Sequence, residues 1–144
     1  MNDVYEYDIG TDSWKTESSN LPRRMEHSCI SIEGGSKILI VGGHYGNSTV
    51  KEFYSTTVIY DTESKNWSYG PSFPTGFWAS SMVQASPNSQ YVAYILGGSN
   101  ILNDIYGITK DLQNVVKVGD LKIGRGVHKA IKLPTKVSEK CQQP

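Results

Sequence analysis

Lys37-Ile38-Leu39-Ile40-Val41-Gly42-Gly43 is the stretch on which the fold turns. Its aliphatic, mostly β-branched run favours a pleated strand, and a run this short with no polar alternation predicts a strand buried on both faces. The paired glycines that follow permit positive φ and close backbone approach, so the strand ends where chains crowd. The same pattern returns where Tyr91 to Leu96 runs into Gly97-Gly98, a displacement of 55 residues from Gly42-Gly43.

Other features share that period. Tyr7-Asp8 followed by Trp14 recurs as Tyr60-Asp61 followed by Trp67, displaced by 53 residues. Arg24 with His27 recurs as Arg125 with His128, and Asn2-Asp3-Val4-Tyr5 as Asn103-Asp104-Ile105-Tyr106, both displaced by 101 residues. A shift of that size is two units of about 50 residues, a period that signals a repeat architecture. Within the first unit, strands are expected at His27 to Ile32, Lys37 to Val41 and Thr56 to Asp61, with an outer strand beginning at Trp67 to Tyr69. The second unit supplies Ser80 to Ala85, Tyr91 to Leu96, Asp104 to Thr109 and Val115 to Asp120. Turn residues separate them, as in Glu33-Gly34-Gly35-Ser36 and Asp61-Thr62-Glu63-Ser64, and no amphipathic helix pattern intervenes.

The order Arg-x-x-His, apolar strand, Gly-Gly, Tyr-Asp, Trp resembles the kelch repeat. It is carried by Arg24, His27, Gly42, Gly43, Tyr60, Asp61 and Trp67, and again in part by Gly97, Gly98, Arg125 and His128. The second unit departs from it. Its Arg-His positions fall near Gly76 to Ser80, its Tyr-Asp position reads Ile108-Thr109, and its Trp position is Val115 or Val116. The resemblance implies an all-β, kelch-type β-propeller fragment built of four-stranded antiparallel blades, with the ring incomplete. The expected division is 1–20 as outer strands of a partial blade, 21–70 as a kelch blade and 71–120 as a degenerate kelch blade. Residues 121–135 supply the first strand of a following blade, at His128 to Leu133, and 136–144 form a tail. Trp14 and Trp67 are expected on outer strands, sealing the gap between blades. A propeller closes with about four to eight blades, so the chain reads as a piece of a six- or seven-bladed protein. The alternative is an open stack completed by a second chain.

Composition fits an interaction scaffold. Of 144 residues, 14 are Lys or Arg and 14 are Asp or Glu, so bulk charge draws the chain neither to nucleic acid nor to an anionic membrane. No apolar run approaches the roughly 18 residues that cross a bilayer. Cys29 lies in a strand-like run and is expected to be a small buried hydrophobe, while its pairing with Cys141 stays open. Asn47-Ser48-Thr49 and Asn66-Trp67-Ser68 are glycosylation sequons.

His27, His44 and His128 lack metal-ligand spacing, and the equivalent positions of His27 and His128 favour a repeated structural role. Asp8 to Trp14 is one residue too long for the Asp-box of sialidase propellers and reads as a turn. No metal and no cofactor is expected. The longer connections are the better candidates for function. His44 to Ser55 offers Tyr45, Asn47 and Phe53; Pro71 to Ala79 offers Phe77 and Trp78, whose alternative role is packing between blades. In kelch propellers these two loop classes emerge on one face, the face that binds partner peptides. The expected function is a non-catalytic protein-protein interaction module, in one common context the substrate-recognition part of a cullin-type ubiquitin-ligase adaptor. Expected partners are another protein or peptide at the loop face, and remaining blades or a second chain to complete the ring. The alternatives are a secreted or cell-surface kelch protein and part of a carbohydrate-active enzyme similar to galactose oxidase.

Overall fold

The computed structural model describes residues 4–18, 21–46, 49 and 51–133. Asn47 and Cys141 lie outside the described residues. A two-stranded ribbon comes first, β1 (Val4–Asp8) with β2 (Ser13–Ser18). Next come β3 (Ser28–Ile32), a 3-10 turn over Glu33–Gly35, β4 (Lys37–Val41), β5 (His44–Gly46), β6 (Lys51–Phe53), β7 (Thr56–Asp61) and β8 (Trp67–Ser72). The chain continues through β9 (Ser81–Gln84), β10 (Tyr91–Leu96), β11 (Asp104–Thr109) and β12 (Val115–Asp120). Two antiparallel four-stranded sheets result, β3-β4-β7-β8 and β9-β10-β11-β12, and β5 pairs with β6 as a separate hairpin. The architecture is all-β, two complete four-stranded antiparallel blades and a separate ribbon, with no closed ring among the described residues.

The middle strands carry the core. Leu39, Ile40 and Val41 on β4 and Val58, Ile59 and Tyr60 on β7 are buried in succession, as a strand covered on both faces requires. The outer strands β8 and β12 have no buried residue. Between the blades, Ile32, Leu39, Val41, Ile59, Phe73 and Phe77 meet Ala93, Ile95, Ile101, Tyr106 and Ile108 in one cluster. Ser28 Oγ donates to Ser80 O at 2.7 Å and pins β3 to the start of β9.

The repeat is visible in register. Tyr7 stands opposite Trp14, Tyr60 opposite Trp67 and Ile108 opposite Val115. The ring pairs sit 5.0 and 4.6 Å apart. Asp8 and Asp61 close equivalent turns: each Oδ1 accepts backbone N–H bonds from the residues two and three positions on. In the second blade Thr109 replaces that aspartate, and the work moves to Asp111, whose Oδ1 accepts from Thr109 Oγ1 and Gln113 N. The turn chemistry thus outlives the motif.

Three expectations are corrected. Cys29 is a free, exposed thiol, because β3 alternates and turns Ser28 and Ile32 inward instead. Trp14 is 71% exposed and covers only Tyr7; no neighbouring blade lies against it among the described residues. His128 to Leu133 is not a strand. It runs beside β9 and is held by Val127 N to Ala79 O, Ala130 N to Ser81 Oγ and Lys132 Nζ to Ala85 O. A strand requires a ladder of backbone bonds, and no other described segment offers it one.

Glu17 ties the ribbon to the first blade. Its carboxylate lies 2.6 Å from Lys15 Nζ and 2.5 Å from Lys65 Nζ in the β7–β8 turn. Hydrogen bonds from Lys15 and then Lys65 hold its carboxyl at about 2, below the ordinary 4.5. A depressed folded-state value means the stabilisation is fully present above the ordinary value and is lost as pH falls through the folded one. Glu17→Gln should therefore lower the melting temperature at neutral pH. That deficit should shrink as the pH drops through the interval between those two values, as scanning calorimetry across that range will show.

Candidate interaction face

Two connections meet at one end of the first blade. The β4–β7 connection forms the β5–β6 hairpin, and the β8–β9 connection runs beneath it from Phe73 to Ser80. Backbone bonds join them: Gly43 N to Phe77 O at 2.8 Å, and Phe77 N to Tyr54 O at 3.2 Å. Gly76 lets the chains touch, since a Cβ there would run into the Phe53 backbone. The hairpin was expected only as a loop. Its strands are three residues each, and only the turn-forming Gly46-Asn47 in the sequence signals it.

The closure stacks Phe53 on Trp78, with centroids 4.4 Å apart and planes 19° from parallel. His44 approaches both rings edge-on, at 6.0 and 6.3 Å. The imidazole is buried, with Nε2 3.6 Å from Glu26 Oε2. A pair of backbone bonds between Met25 and His44, 2.8 and 2.9 Å long, brings the segment before β3 to the same place. There Arg23 Nη1 donates to the Tyr45 hydroxyl at 3.2 Å, and its guanidinium lies 5.9 Å from the Tyr45 ring centre. Tyr45 is 40% exposed and Phe53 37%. Arg23 and the His44–Glu26 contact are absent from the sequence-level candidates, because residue type alone does not show that 23–26 folds onto the hairpin.

Of the loop candidates, Phe53 and Trp78 stack on one side of the hairpin with His44, while Tyr45, opposite Glu52, stands on its other side with Arg23. Phe77 is on neither side: it is fully buried and packs edge-to-face on Phe73 at 4.7 Å. Its role as a binding residue is corrected to interblade core, because a side chain sealed from solvent touches no partner.

Arg24 Nη1 donates to Gly42 O at 2.9 Å, Nη2 to Thr56 Oγ1 at 3.3 Å, and the guanidinium stacks over Tyr54 at 4.8 Å. Gly43 N bonds Phe77 O just as Gly98 N bonds Arg125 O, so Phe77 holds the place of Arg125 in the repeat. Glu26, Ala79 and Val127 then correspond, and all three have positive φ, at 55°, 55° and 51°. They form a chain of backbone bonds, Val127 N to Ala79 O and Ala79 N to Glu26 O. His27, Ser80 and His128 follow them. These three residues, with Glu26, Val127 and Lys129, line a cleft of about 320 Å³. Burial, the larger effect, and the neighbouring Arg24 push the His27 imidazole below its ordinary value; burial does the same to His128.

Residues 23–74 match the Kelch motif family. A search of curated proteins found no match to the chain.

Proposed function

We propose that this chain captures another protein, without catalysis, at the β5–β6 hairpin through Arg23, Tyr45, Phe53 and Trp78, a reading supported by the match of residues 23–74 to the Kelch motif. Kelch repeats mediate protein-protein interaction. The observation that carries the assignment is the β5–β6 hairpin, with the Phe53–Trp78 stack on one side and a half-exposed tyrosine paired with arginine on the other. Rigid aromatic rings and an arginine, already ordered before a partner arrives, are the composition of an interface hot spot. The preformed stack means that little side-chain entropy is lost on binding. Asn47, a candidate from the sequence, lies outside the described residues.

A finer reading is that the captured protein is the substrate of a cullin-type ubiquitin ligase. It rests on the usual context of such propellers.

Tyr45→Ala tests the face. Its side chain contributes to the surface and to Arg23, and not to the interblade core. Partner binding, measured by crosslinking mass spectrometry and titration against the crosslinked protein, should weaken about tenfold, near 1.4 kcal/mol. The melting temperature should stay nearly constant. Crosslinks mapping away from residues 44–53 and 73–79 would move the site elsewhere. Loss of a co-purifying cullin alone would remove the finer reading and leave the face intact.

A further inference from the structure

The cleft of about 320 Å³ beside the starts of β3 and β9 stands apart from the β5–β6 hairpin, and no hairpin residue lines it. Its walls come from three successive repeats, at Glu26-His27, Ala79-Ser80 and Val127-His128-Lys129. All of these are described residues, so the cleft is defined without reference to where the chain begins or ends.

A repeated turn builds it. Glu26, Ala79 and Val127 share a positive φ and are strung together by backbone bonds, which sets His27, Ser80 and His128 at equivalent places. Positive φ is uncommon and strained in a β-branched residue such as Val127. Here it is fixed by the bond from Val127 N to Ala79 O. The middle side chain is small, so Ser80 leaves space between two imidazoles where a third ring would fill it.

The polar groups around the cleft are short of partners. His27 has a hydrogen bond to the Arg24 backbone. The ring of His128 bonds nothing among the described residues, and its Nδ1 is buried. The cations are unpaired as well: among the described residues, none of Arg24, Arg125 and Lys129 has a carboxylate partner. Burial, and after it Arg24, lowers the His27 imidazole; burial, and after it Arg125 and Lys129, lowers that of His128. The charges acting on both rings are thus all positive. Glu26, the one acid on the cleft wall, has its carboxylate 3.6 Å from Nε2 of His44, which does not line the cleft. Uncompensated positive charge in a concave site attracts an anion, and about 320 Å³ is at the small end of ligand pockets.

We propose that this cleft binds a small oxyanion, a phosphate or dicarboxylate, with Lys129 and the ring N–H groups of His27 and His128 as donors. Hydrogen bonds from ammonium and imidazolium to an oxyanion are charge-assisted and strong. A bound anion favours the protonated form of both rings, so binding takes up protons and the two imidazoles titrate at higher pH when the site is full. The charged groups that face them are Arg24, Arg125 and Lys129, with Glu26 beside His44.

Proton NMR of the imidazole Cε1–H signals of the 144-residue chain, near neutral pH, tests this. Three histidines give three signals, assigned with His27→Gln and His128→Gln. Sodium phosphate and sodium succinate are the two probes, and sodium chloride at matched ionic strength is the control. The His27 and His128 signals should move saturably with at least one probe, while that of His44 stays still. Saturating anion should raise the titration midpoints of His27 and His128 above those in chloride. Lys129→Gln alters an exposed side chain, should melt like wild type, and should weaken the anion about tenfold. Saturation by phosphate alone assigns a phosphate group, and saturation by succinate, with or without phosphate, a carboxylate; either supports the site. Shifts that chloride reproduces, that all three histidines share, or that Lys129→Gln leaves unchanged overturn it, as does the absence of any saturable shift.

Discussion

Phe77→Ala should destabilise the chain by about 3–5 kcal/mol, the cost of emptying a fully buried aromatic site. The effect is expected at the top of that range because Phe77 is shared between blades. It packs on Phe73 with centroids 4.7 Å apart, and Phe73 in turn meets Tyr106 of β11 edge-on at 5.5 Å. Removing the ring leaves a hole bounded by two sheets, and neither sheet collapses without pulling on its own ladder. Domains of this kind are stable by only about 5–15 kcal/mol, so the substitution consumes a large share of that margin. Chemical denaturation with tryptophan fluorescence measures it. Trp78→Ala is the informative neighbour. Trp78 is only partly covered and stacks on Phe53 at the surface, so it should lose about 1–2 kcal/mol of stability and a larger fraction of partner binding. Equal losses from the two substitutions would place Trp78 in the core as well.

These two adjacent aromatics mark where residue type stops being informative. β4, β7, β10, β11 and β12 fall within the bounds that the apolar, β-branched runs and their glycine and aspartate stops predict. Local chemistry is sufficient there: a short run buried on both faces has one pleated solution, and a double glycine or an Asx turn ends it. The register of Ile108 on Val115 likewise follows from the period, although neither residue keeps the motif. Phe77 and Trp78 differ in fate because the backbone at Phe77 is held by Gly43 and Tyr54 in the place Arg125 takes four strands later. That equivalence is a matter of hydrogen bonds, and neither Phe nor Arg as a residue type reveals it. The β5–β6 hairpin, the Arg23–Tyr45 pair and the outward face of Cys29 have the same origin. Each depends on which segment lands on which, over separations that a local pattern does not span.

Gly42→Ala should cost about 2–5 kcal/mol, from a left-handed backbone penalty of roughly 1–2 kcal/mol and overpacking of about 1–3 kcal/mol. Gly42 has φ of +61°, and a Cβ there would lie 2.7 Å from the Phe77 carbonyl oxygen and 2.8 Å from Cε2 of its ring. The carbonyl has no freedom to retreat, because it accepts the Gly43 N–H at 2.8 Å. Gly34→Ala separates the two contributions. Its φ is +69°, nearly the same, but nothing lies within 4 Å of the added methyl, so it should cost only the backbone share, about 1–2 kcal/mol. A thermal or urea melt of both variants reads the difference directly. If Gly42→Ala proves no worse than Gly34→Ala, the β4 glycine serves conformation alone and the packing of Phe77 against it is loose. If the gap is as expected, the double glycine is a contact site that lets the Phe73–Ser80 linker lie against the end of β4. The same contact then carries Trp78 to Phe53, so Gly42→Ala should weaken partner capture although it lies beneath the exposed face, whereas Gly34→Ala should leave capture unchanged.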